Sequence, residues 1–172
     1  MVLHLAVRNL NDAIVFHYDY ELYMPRVLEK KILANLREIN RDKFKVEIVR
    51  RGSKDRKSAY SYRKFWTSIQ KIAKKYNVSH IISSLREEES IKRKFLIQHD
   101  RLFGFKNLHL IRNWTWRDVW AYIVRYNVPY IHYYDRISKI TDYSRSRFVT
   151  FFDDEFSWKE DEDRFLFFKQ RF

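Results

Sequence analysis

At 172 residues, with 45% hydrophobic and 18% aromatic side chains, the chain is long and apolar enough for one domain with a buried core, which excludes global disorder. Lys and Arg outnumber Asp and Glu by 35 to 22, and the resulting net charge of +13 favours anionic partners. There is no cysteine, so disulfides, thiolate metal sites and thiol catalysis by this chain are excluded, and two glycines leave little material for a glycine-rich phosphate loop. No apolar run approaches the roughly 20 residues that span a bilayer, and no signal peptide opens the sequence. The chain therefore reads as soluble and cytoplasmic, without a membrane partner. Its six histidines show neither HxxxH nor HExxH spacing, so no metal site is expected.

In chain order, Ile14-Val15-Phe16-His17-Tyr18 is an apolar run ending at Asp19, and it predicts a buried strand. Pro25 suits the first turn of a helix with Leu28, Ile32, Leu36 and Ile39 on its apolar face. Phe44, Val46 and Ile48 alternate with Lys45 and Glu47, a second strand. Tyr62, Phe65, Trp66, Ile69, Ile72, Ala73 and Tyr76 recur at three and four, a second helix. Residues 78–83 form a third strand and Leu108 to Ile111 a short fourth. The last clear helix has Thr115 as N-cap and Asp118 at its third position, with Trp116, Val119, Trp120 and Ile123 as the buried stripe and Pro129 beyond its end. Four alternations of strand and helix with short connections predict an α/β fold, a mostly parallel sheet with helices on both faces. Residues 153–172 hold seven acidic and four basic side chains, leaving residues 1–152 at +16, and the apolar Phe165-Leu166-Phe167-Phe168 is expected to dock as a short helix.

In such sheets ligands bind beyond the C-terminal ends of the strands. After the third strand, Arg86, Ser90 and Arg93 stand at spacings of four and three, which on one helix brings two guanidiniums and a hydroxyl to one face. That grouping suits a phosphate or sulfate. The competing reading is a solvated helix on which Lys92 and Arg93 balance Glu87–Glu89. After the second strand, Arg50–Ser58 concentrates five cations around Gly52 and offers a phosphate cradle that includes Lys54, without the Walker spacing GxxxxGK[ST]. Asp19, at the end of the first strand, is placed to hold a ribose hydroxyl or to cap a turn. Arg125-Tyr126, Tyr130, His132-Tyr133-Tyr134 and Arg136 interleave rings and charges as a base-stacking surface does, although core packing is the commoner use of such rings.

Ser84-x-Arg86-x-x-x-Ser90-x-x-Arg93 resembles the GxRxxxSxxR signature of the phosphoadenylyl-sulfate (PAPS) reductase family. Trp114-Thr115-x-x-Asp118-Val119-Trp120-x-Tyr122-Ile123, with Asn127-Val128-Pro129-Tyr130 and Tyr134-Asp135, resembles that family's tryptophan segment. Asp19 with Pro25 six residues on is similar to its D-T-G-x-E-x-P turn. The resemblance covers about residues 1–136 and implies the adenine-nucleotide α-hydrolase-like fold. It also implies that Arg86, Ser90 and Arg93 face the phosphate or sulfate end of an adenine nucleotide, while the tryptophan helix is structural. The departures are specific. Met1–Leu5 looks like the helix that follows the family's first strand and nucleotide loop, so the expectation is that translation begins upstream or that this member has lost that strand and loop. Gly52-Ser53-Lys54-Asp55 echoes the loop at the wrong place in the order, Ser84 replaces the signature glycine, and the terminal cysteine is absent.

The expectation is a PAPS-reductase-like α/β domain over residues 1–136 and an aromatic and acidic extension over residues 137–172. No cofactor is fixed by the sequence; ATP or a PAPS-type adenine nucleotide is the expected ligand, with Arg86, Ser90, Arg93, Asp19 and Lys54 as its contacts. If the chain is catalytic, sulfur-group or adenylyl transfer fits better than thiol-dependent reduction. The alternatives are a nucleic-acid-binding module that relies on the positive charge, and a structural subunit that forms a homodimer through its aromatic C-terminus.

Overall fold

The computed structural model describes residues 1–19, 26–50, 62–98, 101–102, 105–141 and 143. Helix α1 (Val2–Asn9) leads to strand β1 (Ile14–Asp19), helix α2 (Arg26–Asn40), strand β2 (Lys45–Arg50) and helix α3 (Tyr62–Lys75). Strand β3 (His80–Ile82) is followed by a 3₁₀ turn at Glu87–Glu89 and helix α4 (Ile91–Gln98). Strands β4 (Arg101–Leu102) and β5 (Phe105–Leu108) precede helices α5 (Trp116–Arg125) and α6 (Tyr133–Thr141).

β1 pairs in parallel with β2 from Ile14↔Lys45 to Asp19↔Arg50, and β3 pairs in parallel with β5. Successive side chains of a strand point to opposite faces, and β1 uses both. Phe16 and Tyr18 meet Phe65 of α3 edge-on at ring separations of 5.6 and 5.5 Å, while His17 points the other way to Glu29 of α2. Helices therefore cover both faces of β1. The apolar composition of this strand follows from that double burial.

The expected α/β class holds, with parallel strand pairs and helices on both faces of β1, and two details differ. Among the described residues the strands pair as two sheets rather than one: β1 with β2, and β3, β5 and β4 in that order. The strand expected at 108–111 ends where it was to begin, because β5 occupies Phe105–Leu108 with the antiparallel β4 on its edge. Ile111 is fully buried, but from a turn closed by Arg112 N–H to His109 O and Trp114 N–H to Ile111 O. Its burial imitates a strand, although Leu110 beside it is exposed.

With glycine so scarce, the left-handed backbone positions fall to other residues. Asn77 and Asn127, at φ 51° and 46°, follow the ends of α3 and α5, and Val78 N–H and Val128 N–H reach back to Ala73 O and Ile123 O at 2.8 and 2.9 Å. Asparagine is the side chain that best substitutes for glycine there. At the end of α2, the buried Asn40 amide donates to Phe44 O at 2.7 Å and accepts from Phe44 N–H at 3.2 Å, closing the turn that carries Arg41 and Asp42 at positive φ. α1 is clasped to α5 by a 2.8 Å hydrogen bond between His4 Nδ1 and Tyr122 Oη. Burial, and after it the charge of Arg8, push the His4 pKa down, so the clasp uses a neutral ring.

Candidate anion site

The segment that leaves β3 changes conformation three times within eight residues. Arg86 is extended (φ −125°, ψ 142°), Glu87–Glu89 make one 3₁₀ turn, and Ser90 is extended again before α4 begins. The expected single helix face is therefore corrected. The break comes from Ser90, a strong helix start: its Oγ accepts the Arg93 N–H at 3.1 Å and its carbonyl accepts the Lys94 N–H at 2.9 Å. Ser90 acts here as the N-cap of α4.

Arg86, Ser90 and Arg93 are still brought together, by this fold-back rather than by helical spacing. The Arg86 side chain is only 12% exposed. Its Nη1 donates to Glu88 Oε2 at 2.7 Å and to Trp114 O at 3.2 Å, and its Nε lies 3.4 Å from Glu89 Oε1. Glu89 also takes Arg93 Nη1 on its other oxygen, so one half-buried carboxylate joins the two guanidiniums. Glu87 is turned to Arg112, whose Nη2 and Nε donate at 2.9 and 3.2 Å. The three glutamates, alike in sequence, differ in their partners: Glu87 has Arg112, Glu88 has Arg86, and Glu89 has Arg86 and Arg93.

Glu88 Oε2 has a second donor, the Trp116 N–H at 2.6 Å, at the first residue of α5. The N-terminus of α5 is built by its capping box. Thr115 Oγ1 accepts Asp118 N–H at 3.2 Å, and Asp118 Oδ2 accepts Thr115 N–H at 2.7 Å. These bonds from Thr115, with a smaller contribution from the Arg86 charge, hold the Asp118 carboxyl below the usual carboxylate range. Such a depressed carboxyl stabilises the fold above its unfolded pKa of about 4, and the contribution is lost as pH falls through the lower folded value. Thr115→Ala is expected to lower the melting temperature by about 2–4 °C, the effect of a lost cap worth about 1 kcal/mol. It is also expected to flatten the loss of stability below pH 4; an unchanged acid limb in thermal unfolding would count against the capping role.

A family model for the phosphoadenosine phosphosulfate reductase domain matches residues 1–143. The chain belongs to this family. It is similar to the adenosine 5′-phosphosulfate reductase of Bacillus cytotoxicus, 44% identical over 52 residues that make up 28% of this chain and 22% of that protein. The Lysinibacillus sphaericus protein of the same name is 41% identical over 58 residues, 32% of this chain and 24% of the relative. The Oceanobacillus iheyensis protein is 37% identical over 79 residues, 38% of this chain and 32% of the relative. The chain thus spans between a fifth and a third of the curated relatives it matches. No solved structure matches it.

In this phosphoadenosine phosphosulfate reductase family member, the arginine signature and the tryptophan segment are one physical unit. Arg86 touches Trp114, and Glu88 touches Trp116. Asp19 is elsewhere, at the end of β1, where Arg26 grips both its oxygens at 2.8 and 3.0 Å and it is 5% exposed. Lys54 and the rest of the expected cradle at 51–58 lie outside the described residues, as does the expected helix at 165–168. The expected stacking surface is used inward in part: Tyr130, Tyr134 and Tyr143 pack around Trp120 at 5.1, 6.0 and 4.8 Å. Asp135 ties this cluster, accepting from Tyr130 and Tyr143 hydroxyls at 3.1 and 3.0 Å. Among the described residues no group of His, Asp and Glu is arranged to hold a metal ion, and no helix is long and apolar enough to cross a membrane.

The residues missed from sequence are Glu88 as the partner of Arg86 and the Trp116 N–H as a donor. The i, i+4 spacing of Glu89 and Arg93 does signal their pairing. Nothing in the spacing signals a contact between residues 88 and 116.

Proposed function

We propose that the chain binds an adenine nucleotide through a terminal phosphate or sulfate, beyond the C-terminal end of β3, with Arg86 as the principal contact and Ser90 and Arg93 beside it. The observation that carries this reading is the Arg86 guanidinium: largely buried, fixed by Trp114 O and Glu89, and still directing Nη1 to an exposed carboxylate at a helix N-terminus. An arginine whose planar fork is held in place is suited to an oxyanion. Family membership supplies the sulfur-nucleotide context, and strand-end placement agrees with where α/β sheets bind ligands. These 172 residues hold no cysteine, so they supply no thiol for reduction; nucleotide-dependent sulfur-group or adenylyl transfer is the chemistry this reading favours.

The test is calorimetric titration of adenosine 5′-phosphosulfate and ATP into the wild type, Arg86→Lys and the Arg86→Ala/Arg93→Ala pair at 0.15 M salt. Saturable binding that weakens about tenfold or more in both variants is the expected result, since charge-assisted bonds to a fixed fork contribute about 1.5–3 kcal/mol. No binding by the wild type, or equal binding by the variants, would overturn it. Arg86→Lys keeps the charge and tests the fork even if the alanine pair unfolds. Binding only to polynucleotides, collapsing with added salt, would instead favour a module that works through its net charge of +13.

A further inference from the structure

Resting on that anion-binding reading, we propose that Glu88 determines the affinity of the site by occupying it: its carboxylate holds, in cis, the two donors that an incoming phosphate or sulfate oxygen takes. The donors are Arg86 Nη1 at 2.7 Å and the Trp116 N–H at 2.6 Å, and both converge on Glu88 Oε2. They come from segments 30 residues apart, and each is fixed independently of Glu88. Arg86 is held by Trp114 O and Glu89, and Trp116 by the capping box that sets the start of α5. Two immobile donors meeting on one oxygen form a grip for an oxyanion.

The carboxylate in that grip is the movable part. The Glu88 side chain is 41% exposed, against 14% for Glu89 and 12% for Arg86. Exposed ion pairs are weak and solvent replaces them readily. Glu89, wedged between Arg86 and Arg93, has the structural role, and Glu87 is occupied with Arg112. Rotating Glu88 into solvent breaks no other bond of Arg86 and leaves Nη1 and the Trp116 N–H directed at one point. An incoming anion must displace Glu88 and meets its charge while doing so, so the ligand's affinity is reduced by the fraction of time the carboxylate is home.

Glu88→Gln keeps an acceptor for the Trp116 N–H and removes the competing charge. Glu87→Gln makes the same change of net charge one residue away, on a side chain directed to Arg112. With adenosine 5′-phosphosulfate as the titrant, Glu88→Gln is expected to bind about three- to tenfold more tightly than the wild type and Glu87→Gln within about twofold of it. Glu88→Ala, which lacks any acceptor, is expected to shift affinity in the same direction. Wild-type binding that Glu88→Gln and Glu88→Ala leave unchanged or weaken would overturn the inference while the anion site stands. Equal tightening by Glu87→Gln would also overturn it, since the effect would then be one of net charge. If neither the wild type nor Glu88→Gln binds, the anion-site reading fails and this inference with it.

Discussion

Replacing Arg86 by alanine is expected to destabilise the fold by about 3 kcal/mol, a fall in melting temperature of roughly 6–12 °C, in addition to weakening the proposed anion binding. The reason is its position between two motifs. The guanidinium joins the carboxylates of Glu88 and Glu89 and a main-chain oxygen at Trp114, so truncation leaves a largely buried Glu89 with one cation where it had two. Removing one partner from a buried ionic network costs more than the network contributes, because the desolvated charge remains. Arg93→Ala serves as the comparison. Its side chain is 24% exposed, and Glu89 keeps Arg86 when Arg93 is gone, so a loss of about 1 kcal/mol is expected. Thermal unfolding of the two variants followed by circular dichroism decides: equal effects, or an Arg86→Ala protein as stable as the wild type, would remove the structural role assigned to Arg86.

The same residues show what sequence can and cannot reveal. The start of helix α5 was legible to the residue, because the Thr115 and Asp118 side chains bond each other's backbone N–H across three positions, and local chemistry is written locally. β1 and α2 were legible from apolar pattern. The grouping of Arg86, Ser90 and Arg93 was also legible, but for a reason that does not hold: their spacing suggested one helix face, while Ser90 caps a new helix and the chain folds back. The Arg86–Glu88 contact follows from that fold-back, since residues two apart do not face each other on a helix. Glu88 with Trp116 joins segments 28 residues apart and needs the tertiary structure. Likewise Asp19, free to cap or to bind by sequence alone, is claimed by Arg26 seven residues on.

The second large effect lies on the opposite side of β1 from α3. His17→Leu is expected to lower stability by about 3–4 kcal/mol, because it strands Glu29. Glu29 is fully buried; its Oε1 lies 2.6 Å from His17 Nε2, and its Oε2 is buried without a hydrogen-bond partner among the described residues. A carboxylate in that setting depends on the imidazole, and leucine offers it nothing. Glu29→Met is the milder change, since the His17 side chain it leaves behind is 14% exposed and can reach water. The pair together, His17→Leu with Glu29→Met, is expected to recover to within about 1 kcal/mol of the wild type, as buried ion pairs often do when both members give way to apolar side chains of similar volume. The four proteins of this cycle, compared by urea denaturation, measure the coupling directly. A double variant no more stable than His17→Leu would mean that the site depends on packing rather than on the pair. Recovery would identify the His17–Glu29 contact as a buried polar pair that adds nothing to stability over an apolar one, and that β1 retains where its other neighbours are rings and branched chains.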